Sequence, residues 1–77
     1  MKSDEWLDRF AVALGVPAPD ADEMTALLEL AGVAAHASER MAAPISCWMV
    51  ALSGVSIADA LIAAQELGNS VDDSRPD

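Results

Sequence analysis

Glycine and proline divide this chain into four apolar segments, and that division limits the fold more than any other feature. The interruptions fall at 15–19, Pro44, Gly54 and Gly68. Between them, apolar residues recur three and four positions apart, which is the spacing of one face of an α-helix. No segment shows the alternation of a half-buried strand or an Asn-Gly hairpin. The pattern therefore predicts an all-α fold.

The breaks predict four helices, over about residues 4–14, 21–40, 44–53 and 57–67. Ser3 and Ser56 are placed to cap the first and the fourth, because a hydroxyl oxygen can accept from a free amide of the first turn. Asp20, with Glu23 three residues later, predicts a capping box at the start of the second helix. Pro44 suits the first position of the third.

The same pattern predicts which helices are buried. The second has an apolar stripe wide enough to contact more than one neighbour, and Gly32 within it predicts a close helix approach. Residues 45–53 are apolar almost all round, which is typical of the most buried element. A chain of 77 residues supports one core. We therefore expect one domain, a compact four-helix bundle over 1–68, with a disordered acidic tail over 69–77.

Charge narrows the class of partner. The 13 acidic and 4 basic residues give a net charge of −9, which disfavours nucleic acid and anionic membrane surfaces. A basic or neutral protein partner, or simply solubility, fits this balance better. Residues 41–58 carry no charge, but Pro44, Gly54 and three serines interrupt them, so we expect no membrane span.

Two features indicate a cytoplasmic location. A single cysteine, Cys47, excludes an intramolecular disulfide, and a small domain without disulfides suits a reducing compartment. The N-terminal residues lack the apolar segment of a signal peptide.

Residues 36–48, with the sequence HASERMAAPISCW, hold the most varied side chains of the chain. His36 is either a group that exchanges protons near neutral pH or a donor to a carbonyl at the helix end. Arg40, one turn further along the expected helix, either binds an anion or a partner carboxylate or caps the last carbonyls. Glu39 is a further candidate for ligand or partner contact, although a solvated charge is the simpler interpretation.

These residues reproduce no catalytic or metal pattern. Cys47 lies in an apolar run, which disfavours a thiolate, and no second histidine or orienting asparagine accompanies His36. One histidine and one cysteine lack a zinc spacing, and there is no glycine-rich phosphate loop. We therefore expect no catalytic residue, no metal and no cofactor.

The two tryptophans have different expected environments. Trp48 lies in the apolar third segment and is expected in the core. Trp6 lies near the N-terminus on a helix that is partly solvated, so it is the better candidate for contact with a partner.

Three runs carry a family resemblance: LDRFAVALGV (7–16), LLELAGVAAHASERMAAPISCW (27–48) and ADALIAAQEL (58–67). Together they resemble a small bacterial family of uncharacterised helical domains. Its members look like standalone proteins of this size, or an extension that follows the nucleotidyltransferase domain of molybdopterin-guanine dinucleotide biosynthesis proteins. The resemblance implies a link to molybdenum-cofactor assembly, and it brings no established catalytic residue.

Two functional hypotheses follow, and self-association into a homo-oligomer through Trp6 and the first helix is a third possibility. The leading one is a non-catalytic accessory or protein-interaction domain that serves a molybdopterin nucleotidyltransferase or a molybdoenzyme maturation step. It rests on the family resemblance and on the missing catalytic apparatus, since the chain lacks the glycine-rich segment that the transferase itself needs. The alternative is a domain that binds a small anionic ligand through His36 and Arg40.

Overall fold

The computed structural model describes the backbone of residues 1–73 and the side chains of residues 1–69. This part of the chain contains four helices and no strand: α1 (Ser3–Leu14), α2 (Ala21–Ala37), α3 (Ala42–Ser53) and α4 (Ile57–Asp73). The predicted all-α fold of four helices is confirmed. Several boundaries differ from the prediction, and each difference has a local or a tertiary cause.

α1 begins without a side-chain cap. The capping position is Lys2, and Ser3 is already the first helical residue, so the predicted cap by Ser3 is wrong. Asp4 and Glu5 lie in the first turn, where negative charge stabilises the positive end of the helix dipole. At the other end, Gly15 closes the helix in the left-handed region with φ 72°, as predicted.

The predicted caps of α2 and α4 are confirmed. The Glu23 amide donates to Asp20 Oδ1 at 2.8 Å, and the Asp20 amide donates to Glu23 Oε1 at 2.9 Å, which completes the capping box. At the start of α4, the Asp59 amide donates to Ser56 Oγ at 3.1 Å. These bonds join residues three positions apart, so their formation depends on local sequence alone.

The turn between α2 and α3 is longer than predicted. α2 ends at Ala37 instead of near residue 40, and Glu39 and Arg40 lie in the turn that leads to α3. The Ala42 amide donates to the Glu39 carbonyl at 2.9 Å. Pro44 is the third residue of α3 and not the first. Because amides of the first turn have no acceptor within the helix, proline costs no hydrogen bond there.

α4 continues through Gly68 to Asp73, so the prediction that Gly68 ends the helix is wrong. A Cβ at this position would lie 3.5 Å from Val33 Cγ1 of α2, which shows that α4 packs closely on α2 here. Residues 69–73, the first part of the predicted tail, are helical in backbone. Residues 74–77 lie outside the described residues.

α2 is the centre of the packing. Both α3 and α4 pack against it, which confirms that this helix contacts more than one neighbour. Its Leu30 is the most buried side chain, at 2% exposed. The predicted close approach at Gly32 is wrong, because no atom of another element lies within 4 Å of a Cβ position there. Within the described residues, α1 makes no extensive contact with any other helix.

α3 is not the most buried element, since none of its residues is buried. Only α2 packs extensively against it in the described part of the chain. Ala43, Cys47 and Val50 are partly covered, whereas Ile45 and Leu52 are exposed. The prediction from apolar composition is therefore wrong, because one neighbouring helix covers only one face of another.

The uncharged stretch 41–58 is shared between two helices. Gly54 ends α3 in the left-handed region with φ 74°, and Ser56 then caps α4. Across residues 1–73, the helices are all too short or too polar to cross a membrane.

Candidate functional site

Large apolar side chains are exposed on all four helices, and on α1 and α3 they group into two surfaces. Such exposure of large apolar groups is typical of interaction sites.

The first exposed surface lies along α3, and we call it the α3 stripe. It consists of five side chains that are 53–67% exposed: Met41, Ile45, Trp48, Met49 and Leu52. Four of them recur at intervals of four, three and four residues, so they lie on one helical face. Trp48 is 63% exposed, and its predicted place in the core is therefore wrong.

The second exposed surface is the aromatic pair of α1. The ring centroids of Trp6 and Phe10 lie 4.7 Å apart with the planes tilted by 31°. Trp6 is 49% exposed and Phe10 45%. Beside them, Arg9 Nη2 donates to Glu5 Oε2 at 3.1 Å, and both side chains are exposed. Apolar spacing alone places Phe10 on a buried face; its exposure follows from the lack of extensive packing on α1.

A polar groove of about 470 Å³ runs between α2 and α4. Its polar side chains are Glu29 and His36 from α2 and Gln65 and Asn69 from α4. Gln65 Nε2 donates to Glu29 Oε2 at 3.5 Å, which links the two helices. Gly32 lines the groove, and a Cβ at this position would have no other element within 4 Å. Gly32 is the one sequence signal for this groove, although it predicts a close helix contact and the structure has open space there.

The structure separates His36 from Arg40. His36 is exposed on α2 and lines the groove, whereas Arg40 follows the end of α2 and is not part of the lining. The expectation that they share one helical face is therefore wrong. Glu39 and Arg40 are both exposed in the turn. Among the described residues, the hydrogen bonds of side chains do not include His36, so no helix-end carbonyl holds it.

The groove combines four polar side chains with a lining that is otherwise made of glycine, alanine and valine. Its imidazole, carboxylate and two amides can donate or accept hydrogen bonds. Cys47 is partly covered on α3 and does not line it. Within the described residues, no three His, Cys, Asp or Glu side chains are grouped in a way that could hold a metal ion.

Comparison with known proteins places the chain in a family. Residues 1–75 match the family described as "Domain of unknown function (DUF6457)". The chain belongs to this family. The match includes all four helices, both exposed apolar surfaces and the polar groove, and it agrees with the expected resemblance to a small uncharacterised domain. No curated protein and no solved structure matches the chain.

Proposed function

We propose that this protein is a non-catalytic interaction domain that serves as an accessory to a molybdopterin nucleotidyltransferase in the cytoplasm. The observation that carries the proposal is the aromatic pair of α1. Trp6 and Phe10 are about half exposed on a helix that packs extensively on no other described helix. A helix that packs on no other described helix can bind, through its apolar face, in a groove on another protein.

Aromatic pairs of this kind make effective anchors. Each ring presents a large apolar area, and tryptophan is among the residues that contribute most to protein–protein affinity. Because Trp6 already lies against Phe10, with 4.7 Å between ring centroids, part of the conformational entropy of the anchor is lost before binding. Less entropy then remains to be lost when the partner binds.

Charge and family resemblance support the choice of partner. Asp4, Glu5 and Asp8 lie along α1, and with a net charge of −9 they favour a partner with a basic rim. Residues 7–16, 27–48 and 58–67 resemble an extension that follows nucleotidyltransferase domains of molybdopterin-guanine dinucleotide biosynthesis. A domain attached to an enzyme in some proteins is a reasonable accessory of that enzyme as a separate chain.

The alternative, an anionic-ligand domain, has less support. His36 lines the groove, but Glu29 also lines it and would repel an anion, while Arg40 lies outside it. Glu39 and Arg40 are both exposed in the turn before α3, away from α1 in the chain, so the leading proposal does not use them.

The test is binding of the purified full chain to the molybdopterin nucleotidyltransferase of the same organism, measured by calorimetry. Trp6→Ala is expected to weaken binding at least about tenfold, because it removes an anchor residue. Val12→Ala is the matched control on the same helix, since Val12 is 81% exposed and outside the aromatic pair. Its affinity should equal that of the wild type.

Two results would contradict the leading proposal. One is the absence of binding by the wild type, and the other is equal affinity of the wild type and Trp6→Ala. If inorganic phosphate raised the melting temperature of the wild type but not of Arg40→Ala, the anionic-ligand function would be favoured instead.

A further inference from the structure

The α3 stripe is a continuous apolar surface that the described part of the chain leaves uncovered. Met41, Ile45, Trp48 and Leu52 follow one another at intervals of four, three and four residues. This is the spacing of the seam along which two helices pack side by side. The opposite face of α3 is the partly covered one, so α3 still has one free face for a second helix.

We propose that the α3 stripe binds a second copy of this chain, with the two α3 helices packed antiparallel about a two-fold axis near Trp48. This surface lies on a different helix from the aromatic pair assigned to the nucleotidyltransferase. The dimer is therefore independent of that proposed function.

The area of the stripe matches what a stable dimer needs. Its five side chains, which are 53–67% exposed, present roughly 500 Å² of apolar surface, at about 100 Å² each. A standard interface buries about 800 Å² per partner, and about 65% of this is apolar in homodimers, or about 500 Å². The stripe alone supplies the apolar part of such an interface.

Charge explains why the occupant is a second copy. Residues 41–58 carry no charged side chain, so two copies can meet at α3 without placing carboxylate against carboxylate along the stripe. A partner chosen for its basic surface would be recognised through acidic residues, which this surface lacks. The net charge of −9 then lies on other parts of each copy, where salt screens its repulsion.

The antiparallel arrangement follows from the ends of the stripe. Glu39 and Arg40 come directly before it, and no charge comes directly after it. Parallel helices would place each of these charges beside its own counterpart, whereas antiparallel helices place them at opposite ends of the interface. Ile45 is three residues before Trp48 and Leu52 is four after it, so a two-fold axis near Trp48 brings Ile45 of each copy to Leu52 of the other, as a self-complementary interface requires.

Sedimentation equilibrium of the isolated full chain at about 0.15 M salt tests the dimer. The wild type is expected at twice its 8.0 kDa monomer mass. Leu52→Glu is expected to raise the dimer dissociation constant at least about a hundredfold, because each copy would bury an unpaired carboxylate. Ile62→Glu on α4 adds the same charge at a side chain that is 52% exposed outside the stripe, and it should leave the dissociation constant unchanged.

Circular dichroism of both variants checks that the helices remain folded. This is the expected result, because both changes are made at exposed positions. The proposal would be overturned by a wild type that remains at 8.0 kDa at every concentration, or by an assembly of more than two copies. It would also be overturned if both glutamate variants dissociated the dimer equally or if neither did. These measurements contain no nucleotidyltransferase, so their failure is separate from failure of the proposed function.

Cross-linking tests the orientation. In a Cys47→Ser background, Ile45→Cys and Leu52→Cys are prepared separately, mixed and oxidised. Antiparallel helices are expected to form a disulfide between the two variants, because these positions lie on opposite sides of Trp48. Disulfides that form only between identical variants would overturn the antiparallel arrangement.

Discussion

Gly68 of α4 lies against Val33 of α2, and a Cβ at position 68 would be 3.5 Å from Val33 Cγ1. That separation is ordinary van der Waals contact, and Gly68 is inside a helix without a positive φ. Gly68→Ala should therefore stabilise the protein by about 1 kcal/mol, because glycine loses more backbone entropy in a helix than alanine. Thermal unfolding should show a rise in Tm of about 4–8 °C.

Gly15→Ala is the control for this substitution. Gly15 has φ 72°, which alanine adopts only with strain, so the same change should destabilise the protein by about 1 kcal/mol. A lower Tm for Gly68→Ala than for the wild type would show that α4 is too close to α2 at this point to accept a methyl group.

The capping box should contribute measurably to stability. Asp20→Ala removes the acceptor of the 2.8 Å bond from the Glu23 amide, and the expected loss is about 1 kcal/mol in the free energy of unfolding. Asp22→Ala removes an equal charge from the same helix turn without removing the capping acceptor. In urea unfolding, the free energy of unfolding of Asp20→Ala should be lower than that of Asp22→Ala. Equal free energies would show that the effect of Asp20 comes from its charge alone.

Leu30 is the side chain on which the packing of α2 depends most. It is 2% exposed, so Leu30→Ala should destabilise the protein by about 2–5 kcal/mol through lost burial and a cavity. Leu28→Ala, two residues away at 70% exposed, should change stability by less than about 0.5 kcal/mol. If urea unfolding gave similar losses for both variants, the central place of α2 would be wrong.

Salt should stabilise this protein. The net charge of −9 opposes the compact state by self-repulsion, and ions screen that repulsion. Raising ionic strength from about 0.01 to about 0.15 M shortens the screening length from about 30 to about 8 Å, so Tm should increase. The exposed Arg9–Glu5 pair weakens with salt but contributes little. Measurements at two low protein concentrations separate this effect from dimerisation, and a flat response would indicate well-separated charges.

Two kinds of signal differed in how well they predicted the fold. The Asp20–Glu23 box, the Ser56 cap and the left-handed Gly15 were predictable, because each depends on residues within one helical turn. The continuation of α4 through Gly68 was not predictable, because Gly68 packs against Val33 of another helix. A local sequence pattern does not reveal which distant residue packs against a glycine and so keeps it inside a helix.

The candidate site shows the same division. The sequence predicts Trp6 as a partner contact, and in the structure Trp6 lies half exposed on α1. Trp48 was assigned to the core and is exposed, because apolar composition does not say how many helices surround a segment. His36 and Arg40 were expected on one face, but α2 ends between them.

From the sequence one can predict that the chain is helical, where α2 and α4 begin, and that an uncharged stretch covers residues 41–58. These properties follow from residue spacing, caps and composition, which act over a few residues. Three other properties are visible only in the folded protein: α2 is central, α1 packs extensively on no described helix, and one apolar face of α3 is uncovered in the described part of the chain. Burial depends on the number of neighbouring helices, and long-range packing sets that number.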